Sequence, residues 1–307
     1  MLEKAMMLIF MLVLTGCSPE YISEAAANET VVSEAVSSNT DTQKLVFESS
    51  YDVQETGGFV TEGTETYRDF IVDSVLHSEE LGDIHYCVKI PDSYDGSTPY
   101  SLYITLPGYE GLYFQGAGIN IRSEEFAFEA QKYKENMIIV APQLDDWGEL
   151  SADKTIALTE FFLRNYNIDR EQVYINGYSG GGETLSLVLD KRPELYTRAL
   201  MCSSQWDGDY EAVTEAKIPV YFVIGESDEY YGSEPFKEAY EAIYNRYKAE
   251  GISEEEIQKL VVLDIKPASY FEDRGVTNQH GGGGLFSRDE TVMGWLFGTE
   301  YSEQAEN

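Results

Sequence analysis

QVYINGYSGGGETLSLVLDK, residues 172–191, reads as an apolar strand that runs into a glycine turn and straight on into an amphipathic helix. The strand half, Val173-Tyr174-Ile175, holds the β-branched and aromatic types that suit a pleated, buried surface. The helix half opens with Gly180, Gly181 and Gly182 in a row. Each glycine inside a helix costs about 1 kcal/mol relative to alanine. The cost is understandable if the turn brings backbone against backbone, where a Cβ would clash. Within this turn stands one side chain with chemistry, Ser179, in the string Gly177-Tyr178-Ser179-Gly180-Gly181. Gly-x-Ser-x-Gly between a strand and a helix is the setting of a nucleophile elbow, in which a strained serine lifts its Oγ above the sheet. Local propensity fails here, as it does at functional sites. The alternative is a glycine-rich helix start with a capping serine.

A serine hydroxyl is a poor nucleophile until a base takes its proton. The chain has 3 histidines, His77, His85 and His280. The first two lie in early strand-like runs, well ahead of the serine. His280 lies in TNQHGGGG (277–284), after the last apolar strand and before the last helix, in a loop whose glycines let it reach over the serine. An acid should orient that imidazole and stabilise its protonated form. VYFVIGESD (220–228) supplies Asp228 at the end of the second strand after the serine helix, with Glu226 and Asp264 as rivals. The developing oxyanion needs backbone donors. The N–H of Gly180 is one candidate, and Gly108 and Tyr109 in TLPGYEG (105–111) offer the other.

The rest of the chain alternates short apolar strands with helices. YRDFIVDSVL and DIHYCVKIP read as antiparallel strands, followed by YSLYITLPG, a helical stretch near 123–135, and MIIVAP (137–142). Helices over 153–166, 180–191, 234–250 and 286–297 are interleaved with RALMCSS, IPVYFVIGESD and KLVVLDIK. This alternation predicts an α/β fold: a mainly parallel central sheet with antiparallel N-terminal strands and helices on both faces.

The stretches VAPQLDDWGE (140–149) and NYNIDREQVYINGYSGGGE (165–183) carry a resemblance. Residues 67–297 resemble an α/β-hydrolase of the esterase and "predicted peptidase" type, near feruloyl esterases and polyhydroxybutyrate depolymerases. Pro107 stands where such relatives commonly have histidine before the glycine of the oxyanion loop. The resemblance implies hydrolysis of carboxylic esters through an acyl-enzyme on Ser179, with no cofactor. A prolyl-oligopeptidase-like serine peptidase shares the triad order, although no propeller-like repeat precedes the candidate domain. A non-catalytic surface protein on the same scaffold is the third reading.

Residues 5–14, AMMLIFMLVL, are too short to span a bilayer but suit a signal-peptide core. They lead into Leu14-Thr15-Gly16-Cys17, which resembles the lipobox of bacterial lipoproteins. The expected organisation is a signal peptide over 1–16, lipidation at Cys17, a Ser/Thr-rich acidic stalk over 17–64, and the α/β domain over 65–300. A lipid anchor of several acyl chains would hold the protein stably on the outer face of the cell membrane. With 55 acidic against 21 basic residues, the formal charge of −34 makes nucleic acid an improbable partner. Cys87 and Cys202 sit in apolar runs and read as buried free thiols, and no clustered His/Cys set suggests a metal. Aromatic residues crowd the loops at the strand ends. Trp147 and Trp206 are the main candidates to line a cleft for an aromatic acyl group or sugar ring, with Tyr109, Tyr113, Phe114, Tyr230, Tyr231, Tyr270 and Phe271 behind them. The expected partner is then a small-molecule or polymeric ester.

Overall fold

The structure, a computed structural model, describes residues 58–299. The expected signal segment, Cys17 and residues 18–57 of the expected stalk lie outside the described residues. The strands are β1 (Phe59–Thr61), β2 (Glu65–Tyr67), β3 (Phe70–Ser78), β4 (Gly82–Lys89), β5 (Tyr100–Leu106), β6 (Met137–Gln143), β7 (Ile168–Tyr178), β8 (Arg198–Cys202), β9 (Val220–Gly225) and β10 (Val261–Lys266). Among the described residues they form one sheet in the order β1-β3-β4-β6-β5-β7-β8-β9-β10, with β2 paired to β3. From β6 to β10 every neighbouring pair is parallel, while β1 to β4 and the β4–β6 seam are antiparallel.

The helices are α1 (Ile119–Ser123), α2 (Phe126–Glu129), α3 (Glu149–Asn165), α4 (Gly180–Lys191), α5 (Glu211–Ala216), α6 (Glu234–Ala249), α7 (Glu254–Leu260), α8 (Ala268–Glu272) and α9 (Glu290–Phe297). The two-residue period of each strand decides which cover it gets. Leu102, Ile104 and Leu106 of β5, with Phe222 and Ile224 of β9, join one core with Leu185, Val188 and Leu189 of α4 and Phe236 and Ile243 of α6. Tyr103, Tyr221 and Val223, one residue out of step, join a second core with Phe126 of α2 and Val292, Leu296 and Phe297 of α9. A parallel sheet buried on both faces explains why these strands read as nearly continuous apolar runs.

Several local expectations need correction. The stalk was expected to run to residue 64, but β1 and the loop after it belong to the sheet's edge. Phe59 pairs with His77, its ring stacks on that imidazole at 4.3 Å, and Thr61 Oγ1 lies 2.8 Å from His77 Nε2. Three largely exposed residues are too few to carry a periodic signal. The single helix near 123–135 is two short helices and a 3₁₀ turn, Ala130–Lys132. The last helix begins at Glu290 rather than 286. A 3₁₀ stretch, Gly281–Arg288, precedes it, and the Asp289 carboxylate caps it by accepting the Thr291 and Val292 N–H groups. Cys87 and Cys202 are buried free thiols, and burial pushes the Cys87 thiol up to about 11. Among the described residues no helix is long and apolar enough to cross a membrane.

The connection order reverses around β5, which lies between β6 and β7. In open α/β sheets the crevice beyond the carboxyl ends of the strands at such a reversal is where ligands bind. The ends of β5, β7, β8 and β9 all contribute to what lies there.

Candidate active site

Ser179 follows β7 with φ 53 and ψ −127, a conformation that costs a non-glycine residue on the order of 1–3 kcal/mol. The neighbouring strand holds it in place: the Ser179 N–H donates to the Cys202 carbonyl at 2.9 Å, and Ser204 Oγ donates to the Ser179 carbonyl at 2.6 Å. The Gly182 N–H donates to that same carbonyl at 2.8 Å, which closes the turn into α4. The glycine run is thereby explained position by position. A Cβ on Gly180 would overlap the Trp147 indole; one on Gly181 would lie 2.5 Å from the Leu106 carbonyl oxygen and 2.6 Å from that of Pro107; one on Gly182 would lie 2.5 Å from Ser204 Oγ. Three different neighbours need those three spaces.

The structure brings Ser179, His280 and Asp228 together. Ser179 Oγ and His280 Nε2 are 3.0 Å apart, and His280 Nδ1 lies 3.0 and 3.1 Å from the two Asp228 carboxylate oxygens. A carboxylate only accepts, so Nδ1 carries the proton and Nε2 is free to accept from the serine hydroxyl. The Asp228 side chain is fully buried, whereas His280 keeps 19% of its side chain exposed. Burial alone would raise the Asp228 pKa. The hydrogen bond from His280 and the N–H groups of Tyr231 and Tyr230 outweigh it and hold the carboxyl below its ordinary value. The rivals are occupied elsewhere: Glu226 accepts the Ala268 N–H, and Asp264 accepts the Tyr221 hydroxyl and pairs with Lys266. His77 and His85 each pair with another aspartate, Asp83 and Asp73.

Three residues that the sequence reading passed over fasten this arrangement. Gln279 Oε1 accepts the Ser227 N–H at 2.8 Å, tying the histidine loop to the aspartate loop. Tyr178, the residue before the serine, donates its hydroxyl to the His280 carbonyl at 2.7 Å and stacks against the ring. Ser204 supports the elbow as described. Neighbourhood in the chain was the available clue for Tyr178 and Gln279, which flank the serine and the histidine. Nothing in the local sequence marks Ser204.

The oxyanion candidates divide. The N–H groups of Gly180 and Tyr109 donate to no acceptor among the described residues. The Gly108 N–H is taken: it donates to Glu124 Oε1 at 2.7 Å, which corrects the expectation that it could serve an oxyanion. Gly108 itself backs onto Ser179, since a Cβ there would stand 3.2 Å from Ser179 Cβ.

The two tryptophans also part company. Trp147 packs against Gly180 and lies 6.1 Å, ring to ring, from Tyr109, so it borders the site. Trp206 is only 9% exposed and packs on Tyr210 and Phe222 in the core beneath α4–α6, which corrects its expected place in a cleft. Its large apolar area is better satisfied there than in solvent. Of the exposed aromatics, Tyr230 (73%) lies 5.3 Å, ring to ring, from His280, and Phe114 (65%) packs edge-on against Tyr109 (52%). Tyr231 links the two halves of the site: its N–H donates to Asp228 and its hydroxyl donates to Glu183 of α4 at 2.6 Å. Among the described residues no group of three His, Cys, Asp or Glu side chains is placed to hold a metal ion.

Residues 144–250 match the model of the prolyl oligopeptidase family, peptidase family S9. No curated protein matches the chain at a significant level. Among solved structures, a thermostable esterase superposes with a TM-score of 0.60 at 21% identity, covering 75% of this chain and 63% of that one. Prolyl endopeptidase (TM-score 0.51, 11% identity, 79% and 39% covered) and dipeptidyl peptidase 4 of Porphyromonas gingivalis (0.51, 12%, 74% and 36%) share the same core. The chain spans less than two thirds of each of these longer chains. The superpositions agree with the strand order and connections described above, and the chain therefore has the α/β-hydrolase fold.

Proposed function

We propose that the chain is a serine hydrolase that cleaves carboxylic esters through an acyl-enzyme on Ser179. The observation that carries this reading is the continuous path Ser179 Oγ to His280 Nε2 to His280 Nδ1 to Asp228, at 3.0 Å for each step. In it, His280 takes the Ser179 proton as Oγ attacks the ester carbonyl, and then delivers that proton to the departing alcohol oxygen. A water, deprotonated by the same Nε2, attacks the acyl carbon, and the proton returns to Ser179 as the acid leaves. Asp228 holds the ring in the tautomer that can do this and stabilises the imidazolium. The Gly180 and Tyr109 N–H groups receive the negative charge on the carbonyl oxygen, each worth roughly 3–4 kcal/mol of barrier.

The likeness to a thermostable esterase supports the choice of ester. The exposed rings of Tyr109, Phe114 and Tyr230, with Trp147 beside them, support an aromatic acyl group or a sugar-linked ester as the substrate. The family match over residues 144–250 favours a second reading, a serine peptidase. The two are separated by turnover of p-nitrophenyl esters, feruloylated and acetylated xylan fragments, and peptide p-nitroanilides, with Ser179→Ala as the control. Ester turnover that disappears in Ser179→Ala, together with inert anilides, is the expected result. Anilide turnover without ester turnover would reverse the assignment. An anchor at Cys17 belongs to the same proposal, tested by incorporation of labelled palmitate into the full chain and its loss in Cys17→Ser.

A further inference from the structure

Behind the loop after β5, a carboxyl group is turned inward next to the nucleophile. Glu124, just after α1, is partly exposed as a residue, yet its carboxyl end is desolvated and borders a small cavity lined by Thr105, Pro107, Asn120 and Ala127. Its one backbone partner is the Gly108 N–H, at 2.7 Å. That donor is the first N–H beyond Pro107, and Gly108 stands directly against Ser179. The next N–H, of Tyr109, is the one left free.

We propose that Glu124 is a positioning residue for the oxyanion loop. By accepting the Gly108 N–H it sets the peptide turn between Gly108, which stands against Ser179, and the free Tyr109 N–H, and only its protonated form leaves the site electrically suited to a developing oxyanion. This rests on the serine-hydrolase reading above. A carboxyl C=O can accept the Gly108 N–H without bringing charge. A carboxylate accepts it more strongly, but places an anion one residue from the donor meant for the transition-state anion. Burial pushes the Glu124 carboxyl up to about 8; the Gly108 N–H pulls against that, and the nearby Glu110 carboxylate adds to it. The titratable groups that interact with it electrostatically are Glu110 in the turn after β5, Tyr103 in β5, Tyr178 in β7 and Cys202 in β8. None of these groups is a cation. Ionisation of Glu124 therefore slows attack as pH rises through about 8.

The test uses the full chain, p-nitrophenyl acetate hydrolysis and the rate of labelling by a fluorophosphonate, from pH 6 to 10. Glu124→Gln keeps the acceptor and cannot ionise. It should retain at least a third of the kcat at pH 7, and the roughly tenfold alkaline fall of the wild type should vanish. Glu124→Ala leaves the Gly108 N–H unpaired and should lower kcat about 10- to 100-fold with KM within about twofold. A Glu124→Gln profile that superimposes on the wild type overturns the proposal, as does full kcat in folded Glu124→Ala. If Ser179→Ala is inert while those results appear, the Glu124 proposal alone fails. If Ser179→Ala still turns over, the nucleophile assignment fails first.

Discussion

Gly181→Ala separates helix propensity from the packing of this site, because the two predict opposite signs. On propensity alone, alanine near the start of α4 should stabilise the protein by up to about 1 kcal/mol. In the structure the new Cβ lies 2.5 Å from the Leu106 carbonyl oxygen and 2.6 Å from that of Pro107. Ordinary contact lies near 3.4 Å or beyond, so α4 and the end of β5 must separate by about 1 Å. Neither oxygen belongs to a side chain that can rotate away. Overpacking of this kind costs roughly 1–3 kcal/mol, which offsets or exceeds the propensity gain. The displaced segments carry the Gly180 N–H on one side and the Tyr109 N–H on the other. Spreading them should lower kcat about 100- to 1000-fold, the effect of losing one oxyanion donor. Urea unfolding reads the stability and p-nitrophenyl acetate turnover reads the rate. A Gly181→Ala protein that is more stable than the wild type and keeps its kcat would refute the packing argument.

Other perturbations follow from the same geometry. Ser179→Gly should raise the unfolding free energy by about 1 kcal/mol while abolishing turnover, since glycine takes positive φ without strain; an unfolding midpoint at or below that of Ser179→Ala would count against stored strain. Asp228→Asn should drop kcat by about 10⁴ with KM little changed, read by ester hydrolysis, because the amide cannot hold His280 in the required tautomer. The Asp228 pKa is lower folded than unfolded, so the stability it adds is present above the unfolded carboxylate pKa and is lost as pH falls through the folded one. Thermal melts from pH 6 to 2 should show the wild type losing more stability than Asp228→Asn over the acid end of that range. Ser204→Ala, which removes the hydroxyl held on the Ser179 carbonyl, should cost about 1 kcal/mol in urea and lower kcat more than it raises KM; a variant with wild-type kcat would show that the strand alone sets the elbow.

Much of this molecule could be read along the chain because its signals are local. The strand–glycine–helix texture of 172–191 contains its own reason, and an alternating series of buried strands and helices leaves few other ways to cover both faces of a sheet. Ser179, Asp228 and His280 were legible because the chain offers 3 histidines and a single glycine-framed serine, and because chain order orders strand ends in space. What only the tertiary structure decided concerns groups that meet from distant segments. The Gly108 N–H is indistinguishable in sequence from a free donor, and Glu124, 16 positions on, occupies it. Trp206 looked as suited to a cleft as Trp147 until the fold turned one into the core and set the other over Gly180. Hydrogen-bond partners and burial depend on which surfaces the sheet brings face to face, and that is a property of the packed whole rather than of any stretch of residues.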